Sequence, residues 1–158
     1  MLNKIKNRKQ EGFTIIEVLI VLAIAGLIML IVFLAVPALQ RNSRNTQRQA
    51  DASKVTAAIA SCMSARNGKF ESCNETSELE TNGGLEVNKL QQLTTVSPTA
   101  APADPPTVNF QLAEWSFKSK CKDDGSGATA TGATSRQSAV TFTQENGQAD
   151  GVGKCIDV

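Results

Sequence analysis

The most constraining feature of the sequence is an apolar run, residues 13–39, in which Glu17 is the single ionisable side chain. Residues 18–36 carry no charge at all. A helix rises about 1.5 Å per residue, so a stretch of this length covers the hydrocarbon core of a bilayer, which is roughly 30 Å thick. The run is therefore predicted to be a membrane helix.

Glu17 is the unusual residue of this run. A lone carboxylate in an apolar helix costs several kcal/mol unless it reaches water or pairs with a cation. The run contains no lysine, arginine or histidine. We therefore expect the partner cation of Glu17 to come from outside the run.

A basic segment, residues 1–12, precedes the apolar run. By the positive-inside tendency it is predicted to stay in the cytoplasm. An ordinary secretory signal is cut after its apolar core at a small-residue site, but residues 35–38 offer no A-x-A pattern and the run is longer than such a core. The alternative is a cut on the other side of the run, after Gly12. The charged residues of the segment are Lys4, Lys6, Arg8, Lys9 and Glu11.

Residues 12–17 read G-F-T-I-I-E, with the basic leader before them and the apolar run after them. This string closely resembles the processing motif of type IV prepilins. The resemblance implies that a prepilin peptidase removes residues 1–12 by cutting after Gly12 and then methylates the new amino terminus at Phe13. Cleavage would create an ammonium group at Phe13, on the same or a neighbouring subunit, as the cation for Glu17. Phe13 and Glu17 are thus the candidate residues for filament assembly.

The first helix is expected to cover residues 13–66, with residues 13–39 as its transmembrane or filament-core part. Residues 40–49 are polar but contain no glycine or proline that would end a helix. Their arginines compete with the leader for the cytoplasmic side, yet the leader's cluster is denser and comes first. An apolar stripe then returns at helical spacing, and Asn67-Gly68 is expected to end the helix. The stripe comprises Ala52, Val55, Ile59, Cys62 and Met63.

The resemblance also bears on two residues within the first helix. Gly26 falls where the family commonly has a helix-weakening glycine, whereas Pro37 lies a few residues later than the family's usual membrane-helix proline. Both are therefore candidate points of helix flexibility.

Residues 67–158 are expected to form a globular outer domain with an αβ-loop and antiparallel strands. Leucines at positions 85, 90 and 93 suggest a short second helix, and residues 97–106 suggest an extended connector. Alternating patterns predict strands within 108–117, 139–143 and 152–158, whereas 123–135 is expected to be a loop too small and polar to pack. The predicted class is α+β and pilin-like, with a long amino-terminal helix packed on a small antiparallel sheet.

The cysteines predict disulfides. Their number is even, and the segment that carries them is predicted to be exported. A zinc site is disfavoured because the chain has no histidine and no C-x-x-C spacing. Of the three possible pairings we favour Cys62–Cys73 with Cys121–Cys155, since each closes a local loop. The resemblance agrees in part, because many pilins have a disulfide near the carboxyl end.

Charge and composition exclude several functional classes. The chain has 16 basic and 15 acidic residues, and with four basic and one acidic residue in the leader the remainder carries 12 and 14. Bulk charge therefore does not predict nucleic-acid binding. Residues 123–127 offer oxygens for a calcium ion but lack EF-hand spacing, so a solvated loop is favoured and no metal or cofactor is expected. Catalytic groups are missing in any persuasive arrangement, and an enzyme is not expected.

The functional expectation comes from the resemblance. It implies a structural subunit held in the cytoplasmic membrane as a precursor and then assembled into an extracellular type IV pilus, a homo-oligomeric filament that serves motility, adhesion or DNA uptake. The implied partners are the prepilin peptidase, an assembly ATPase and an inner-membrane platform. A pseudopilin of a type II secretion or competence system is the alternative. A signal-anchored surface binding domain is the alternative from a different class.

Overall fold

The computed structural model describes residues 12–99, 108–133 and 137–158. The chain divides into two units, Met1–Leu39 and Gln40–Val158. The leader, apart from Gly12, and most of the expected connector at 97–106 lie outside the described residues. The helices are α1 (Ile15–Ala65) and α2 (Thr76–Thr81), with 3-10 helices at Phe70–Cys73 and Val87–Lys89. The strands are β1 (Thr95–Pro98), β2 (Leu112–Phe117), β3 (Ser119–Cys121), β4 (Thr129–Thr131), β5 (Ser138–Gln144) and β6 (Val152–Asp157).

The carboxyl end of α1 is closed by its last turn. Asn67 and Gly68 both adopt positive φ, 54° and 77°. The N–H of Gly68 donates to the carbonyl of Met63 over 2.7 Å. Left-handed residues after a helix satisfy its last carbonyls in this way. The Asn-Gly pair therefore ends the helix close to where the sequence predicts.

The second unit, Gln40–Val158, is called the globular unit below. It contains a four-stranded sheet in the order β1-β2-β5-β6. β2 pairs antiparallel with β5, and β5 pairs antiparallel with β6. These elements confirm the predicted α+β class. The sheet is mixed rather than wholly antiparallel, however, because β1 runs parallel to β2. The chain from β1 to β2 spans about a dozen residues, the length that a parallel crossover requires.

The core lies between α1 and one face of the sheet. The predicted stripe of α1 is buried there, since Val55 and Ile59 are fully buried and belong to one cluster with residues of β2 and β5. Alternation along each strand brings every second side chain to this face. The strand residues of the cluster are Ala113, Trp115, Val140 and Phe142.

A second layer, the hairpin of β3 and β4, covers the other face of the sheet. Cys155 and Asp157 alternate with Ile156, which packs against the helix-side core, so they face the opposite side. β3 is joined to that side by the Cys121–Cys155 disulfide. The expectation of an unpacked loop at 123–135 is therefore wrong for its described part, because β4 forms there and Ala128 and Thr129 are buried.

Two further predictions of local structure are wrong. The leucines at positions 85, 90 and 93 are buried, but a 3-10 helix and extended segments place them in the core, so their spacing reflects burial rather than a helix. The strand expected from residue 108 begins only at Leu112. Asn109 explains the delay, since its side-chain oxygen accepts the N–H of Gln111 over 3.0 Å and forms a turn.

Candidate functional site

The described residues of the amino-terminal unit present an extensive apolar surface. Nineteen large hydrophobic side chains between positions 13 and 39 are exposed. Burial of such a side chain contributes roughly 1.5 to 3 kcal/mol, so this surface represents on the order of 30 to 55 kcal/mol. A whole domain is stable by only about 5 to 15 kcal/mol. Lipid or protein must therefore cover this surface.

The same unit qualifies as a membrane span by length and composition. A stretch of α1 long enough to cross a bilayer is strongly apolar, and none of it is buried among the residues that the structure describes. A helix that is apolar on all sides is typical of a membrane span or of the core of an assembly. The precursor is therefore suited to anchoring in a membrane.

Glu17 lies in the first turn of α1 and forms a reciprocal pair with Thr14. The backbone N–H of Thr14 donates to Glu17 Oε2 over 2.8 Å, and the Thr14 hydroxyl donates to the same oxygen over 2.6 Å. In return, the N–H of Glu17 donates to Thr14 Oγ1 over 3.3 Å. This is a capping box, in which the residue before the helix and the third helical residue satisfy each other's N–H groups.

The capping box occupies only half of the carboxylate. Among the described residues, no hydrogen bond reaches Glu17 Oε1, and the sequence from residue 12 to residue 40 contains no cationic side chain. The carboxylate is thus held in place by its own helix while one oxygen stays available to a donor. Sequence reasoning identified Glu17 and the threonine of the motif but missed the capping role of Thr14, although the T-I-I-E spacing is the signature of a capping box.

Gly12 and Phe13 lie in the non-helical backbone before α1. Residues 12–14 are neither helix nor strand, and all of them are exposed. Phe13 is 89% exposed, and a Cβ added to Gly12 would meet no atom within 4 Å. The peptide bond between these two residues is therefore open to an approaching enzyme.

Gly26 and Pro37 both lie inside α1. A Cβ added at Gly26 would meet no atom within 4 Å, so packing within the chain does not require glycine there. Pro37 has no N–H to donate to the carbonyl of Phe33, which leaves one helical hydrogen bond unmade. Helix flexibility at these two positions stays a prediction.

The four cysteines form two disulfides in the globular unit. Cys62 pairs with Cys73 and Cys121 pairs with Cys155. Each bond closes a local loop, with sequence separations of 11 and 34. The first bond ties the end of α1 to the following 3-10 helix, and the second ties the β3–β4 hairpin to β6.

A second feature that sequence reasoning missed is an ionic cluster between α1 and the turn after β5. Arg48 is buried, and its guanidinium donates to Glu145 Oε1 over 2.7 Å and to the Phe110 carbonyl over 2.9 Å. Asn45 exchanges hydrogen bonds with the backbone of Glu145, at 2.7 and 2.8 Å. The arginines that the sequence presents as a rival topology signal include two, Arg44 and Arg48, that fasten the helix to the sheet.

The same cluster sets the ionisation of Glu145. Hydrogen bonds from Arg44 and then Arg48, together with their positive charges, outweigh the cost of desolvation and lower the pKa of Glu145 from its usual 4.5 to about 2. The carboxylate therefore stays charged over the physiological range. No local sequence signal marks this pair, because Arg48 and Glu145 are 97 residues apart.

Asp51 on α1 holds the segment that leads into β1. Its Oδ2 accepts the N–H groups of Gln91, Gln92 and Leu93 over 2.8, 2.7 and 3.3 Å. Burial alone would raise the pKa of Asp51, but the hydrogen bonds from these N–H groups and from Lys54 hold it below its usual value. A buried carboxylate that receives several N–H donors is stable in its charged form.

The loop weighed as a calcium site, residues 123–127, satisfies its own polar groups. Asp124 Oδ1 accepts the N–H of Ser126 over 2.9 Å, and this contact with Ser126 lowers the pKa of Asp124. Among the described residues, the one cluster with metal-ligating types combines Asp157 with Cys121 and Cys155. Those two sulfurs are joined in a disulfide and are not available as thiolate ligands.

Comparison with known proteins identifies a family motif in the amino-terminal unit. Residues 7–33 match the model of the prokaryotic N-terminal methylation motif. Neither a curated protein nor a solved structure matches the chain. The matched motif includes Gly12, Phe13, the capping box and most of the apolar run, and it is the signal of a structural family rather than an enzymatic one. The amino-terminal unit therefore carries the methylation motif that marks prepilins of the type IV pilin and pseudopilin kind.

Proposed function

We propose that the chain is the structural subunit of a type IV pilus. In this proposal residues 1–12 are a leader that prepilin peptidase removes, Phe13 becomes the N-methylated terminus, and the mature subunit enters a helical filament. The uncovered apolar surface of residues 13–39 carries the proposal. Lipid covers this surface before assembly, and the same segments of neighbouring copies cover it afterwards.

Glu17 gives this assembly a register. Apolar contact is nondirectional, so the packing of one apolar helix on another leaves the position of a subunit along the filament axis poorly defined. Cleavage after Gly12 creates an ammonium group at Phe13, and Glu17 Oε1 is available to receive it. A subunit in the wrong register would leave both charges unpaired in a low-dielectric surrounding, at a cost of about 3 to 5 kcal/mol.

The proposed assembly needs other proteins. Extraction of the apolar segment from the bilayer costs energy that this chain does not generate. An assembly ATPase and a platform protein in the inner membrane would supply the work. The globular unit would then lie on the outside of an extracellular filament that serves motility, adhesion or DNA uptake.

The test is an intact-mass measurement on surface filaments sheared from cells that express the full chain as their sole copy. We expect a chain that begins at Phe13, lacks residues 1–12 and carries one added methyl group. Gly12→Val should leave the precursor uncut, whereas Gly26→Val, the same exchange at a glycine with open surroundings, should still be processed.

The result also distinguishes the alternatives. Processed protein that stays at the membrane without surface filaments would favour a pseudopilin of a secretion or competence system. An uncut, membrane-bound monomer would contradict the proposal and indicate a signal-anchored surface domain.

A further inference from the structure

Two residues, Phe13 and Thr14, separate the proposed cleavage site from the start of α1. The helix begins at Ile15, and Thr14 is the residue before it. The first intrahelical hydrogen bond runs from the N–H of Val18 to the Thr14 carbonyl. The Gly12–Phe13 peptide bond therefore lies in exposed, non-helical backbone, directly before the capping box.

This placement matters for hydrolysis. Within a helix, a carbonyl is engaged by an N–H four residues later and is shielded by the side chains of adjacent turns. An enzyme that attacks such a bond must first unwind the turn, whereas exposed irregular backbone is open to cleavage. The conformation of residues 12–14 is thus the reactive one.

Without the capping box, extension of α1 towards the leader would be energetically accessible. The residues before Gly12 are arginine, lysine, glutamine and glutamate, which are good helix formers, and the glycine itself opposes a helix by only about 1 kcal/mol. The capping box favours a helix that starts at Ile15 by a similar free energy of about 1 kcal/mol. The reason is that the N–H groups of Thr14 and Glu17 both receive their side-chain acceptors only with this start.

We propose that the Thr14–Glu17 capping box sets the rate at which the leader is removed, by holding the Gly12–Phe13 bond outside the helix. This inference rests on the proposed function. In the reaction, water adds across the bond, leaving a carboxylate on Gly12 and an ammonium group on Phe13. Thr14 acts as a positioning residue, since its part is to fix where the helix begins.

The test measures processing of the full-length chain in detergent by membranes that contain prepilin peptidase. Thr14→Val keeps the side-chain shape but removes the hydroxyl, so we expect cleavage about fivefold slower, the equivalent of one lost cap. Thr14→Ser and Thr14→Asn both retain an oxygen that caps a helix and should be cleaved at close to the wild-type rate. Glu17→Gln keeps an acceptor oxygen and should also be cleaved normally.

A second readout follows the helix start itself. Carbon chemical shifts of Phe13 in the uncut chain in micelles should become helical in Thr14→Val and stay non-helical in the serine and asparagine variants. The asparagine variant separates the cap from direct recognition of a hydroxyl by the peptidase, because asparagine caps a helix without one.

The outcomes are distinct. Undiminished cleavage of Thr14→Val beside a normally cleaved wild type would overturn the inference alone, and so would an asparagine variant as slow as the valine variant. A wild-type chain that the peptidase leaves uncut would overturn the proposed function and this inference together.

Discussion

Arg44 and Glu145 form a two-pronged ion pair, with Arg44 Nε 2.9 Å from Oε1 and Nη2 2.6 Å from Oε2. Arg48 approaches the same carboxylate from a buried position. Parallel bonds of this kind restrict the geometry of both partners. The pair thereby fixes where α1 meets the turn after β5.

Removal of the shared carboxylate should destabilise the globular unit. Glu145→Gln leaves the buried Arg48 without its anion, and we expect a loss of about 2 to 3 kcal/mol in the free energy of unfolding. The measurement is urea unfolding of the full chain in detergent, followed by fluorescence of Trp115, the one tryptophan of the chain and a fully buried one. Glu80→Gln removes an exposed carboxylate and serves as the control, and an equal loss in both variants would contradict the role of the cluster.

The same carboxylate predicts an acid response. Its pKa is lowered in the folded state to about 2 from a usual 4.5. The stability it contributes should therefore be complete above about pH 4.5 and should be lost as the pH falls towards about 2. Unfolding of wild type and Glu145→Gln, compared at a series of pH values, should give stabilities that converge over this window. A difference that stays constant down to pH 2 would contradict the assignment.

Gly127 offers a test of the layer formed by the hairpin. A Cβ at this position would lie 2.1 Å from the carbonyl carbon of Gly153, and the residue has φ +73°. Gly127→Ala should therefore cost more than the strain of a left-handed residue alone, which is about 1 to 2 kcal/mol. Gly125→Ala is the matched control, because Gly125 has φ +74° with open space around it. Equal losses in the free energy of unfolding for the two variants, measured by urea unfolding, would show that the hairpin does not pack closely on β6.

The two disulfides should contribute unequally. The Cys121–Cys155 bond closes a loop with a separation of 34 residues, against 11 for Cys62–Cys73. In the loop-closure model, replacing both cysteines of the longer loop by alanine lowers the free energy of unfolding by about 3 to 4 kcal/mol. This loss is roughly 1 kcal/mol larger than the loss expected for the shorter loop. Non-reducing peptide mapping checks the pairing, and a recovered Cys62–Cys121 link would contradict it.

Assembly should depend on the charge of Glu17 separately from its cap. Glu17→Gln can still accept the N–H of Thr14 but carries no charge, so we expect normal cleavage and at least tenfold fewer filaments, consistent with a loss above about 1.4 kcal/mol. Glu17→Ala removes both functions and should assemble no better. The measurement is the amount of sheared surface filament per cell. Abundant filaments of normal length built only from Glu17→Gln would show that the charge pair is dispensable.

The features of this molecule that can be predicted are those set by residues close together in the sequence. Apolar spacing placed Val55 and Ile59 on the buried face of α1, and the Asn67-Gly68 pair marked its end, since both signals act within a turn or two of helix. The Thr14–Glu17 capping box is equally local and could have been predicted. Its spacing is three residues.

Features that depend on distant partners could not be predicted in this way. Nothing near Arg48 shows that a glutamate 97 residues later will bind it. β1 is a similar case, because its parallel pairing follows from a crossover and not from a pattern within its four residues. Ala128 and Thr129 are likewise buried in a hairpin that is linked to β6, a distant segment, by the Cys121–Cys155 disulfide.

Asp51 and the Cys62–Cys73 bond together have a consequence for engineering. The bond holds the start of the segment after α1, and Asp51 holds its end at residues 91–93, so both ends are fixed to the same helix. Between these attachments, Ser77, Glu80 and Thr81 face solvent on α2. Foreign epitopes grafted at these three positions would leave β1 in place and would be displayed once per chain, which makes α2 a suitable site for attaching new groups to the protein surface.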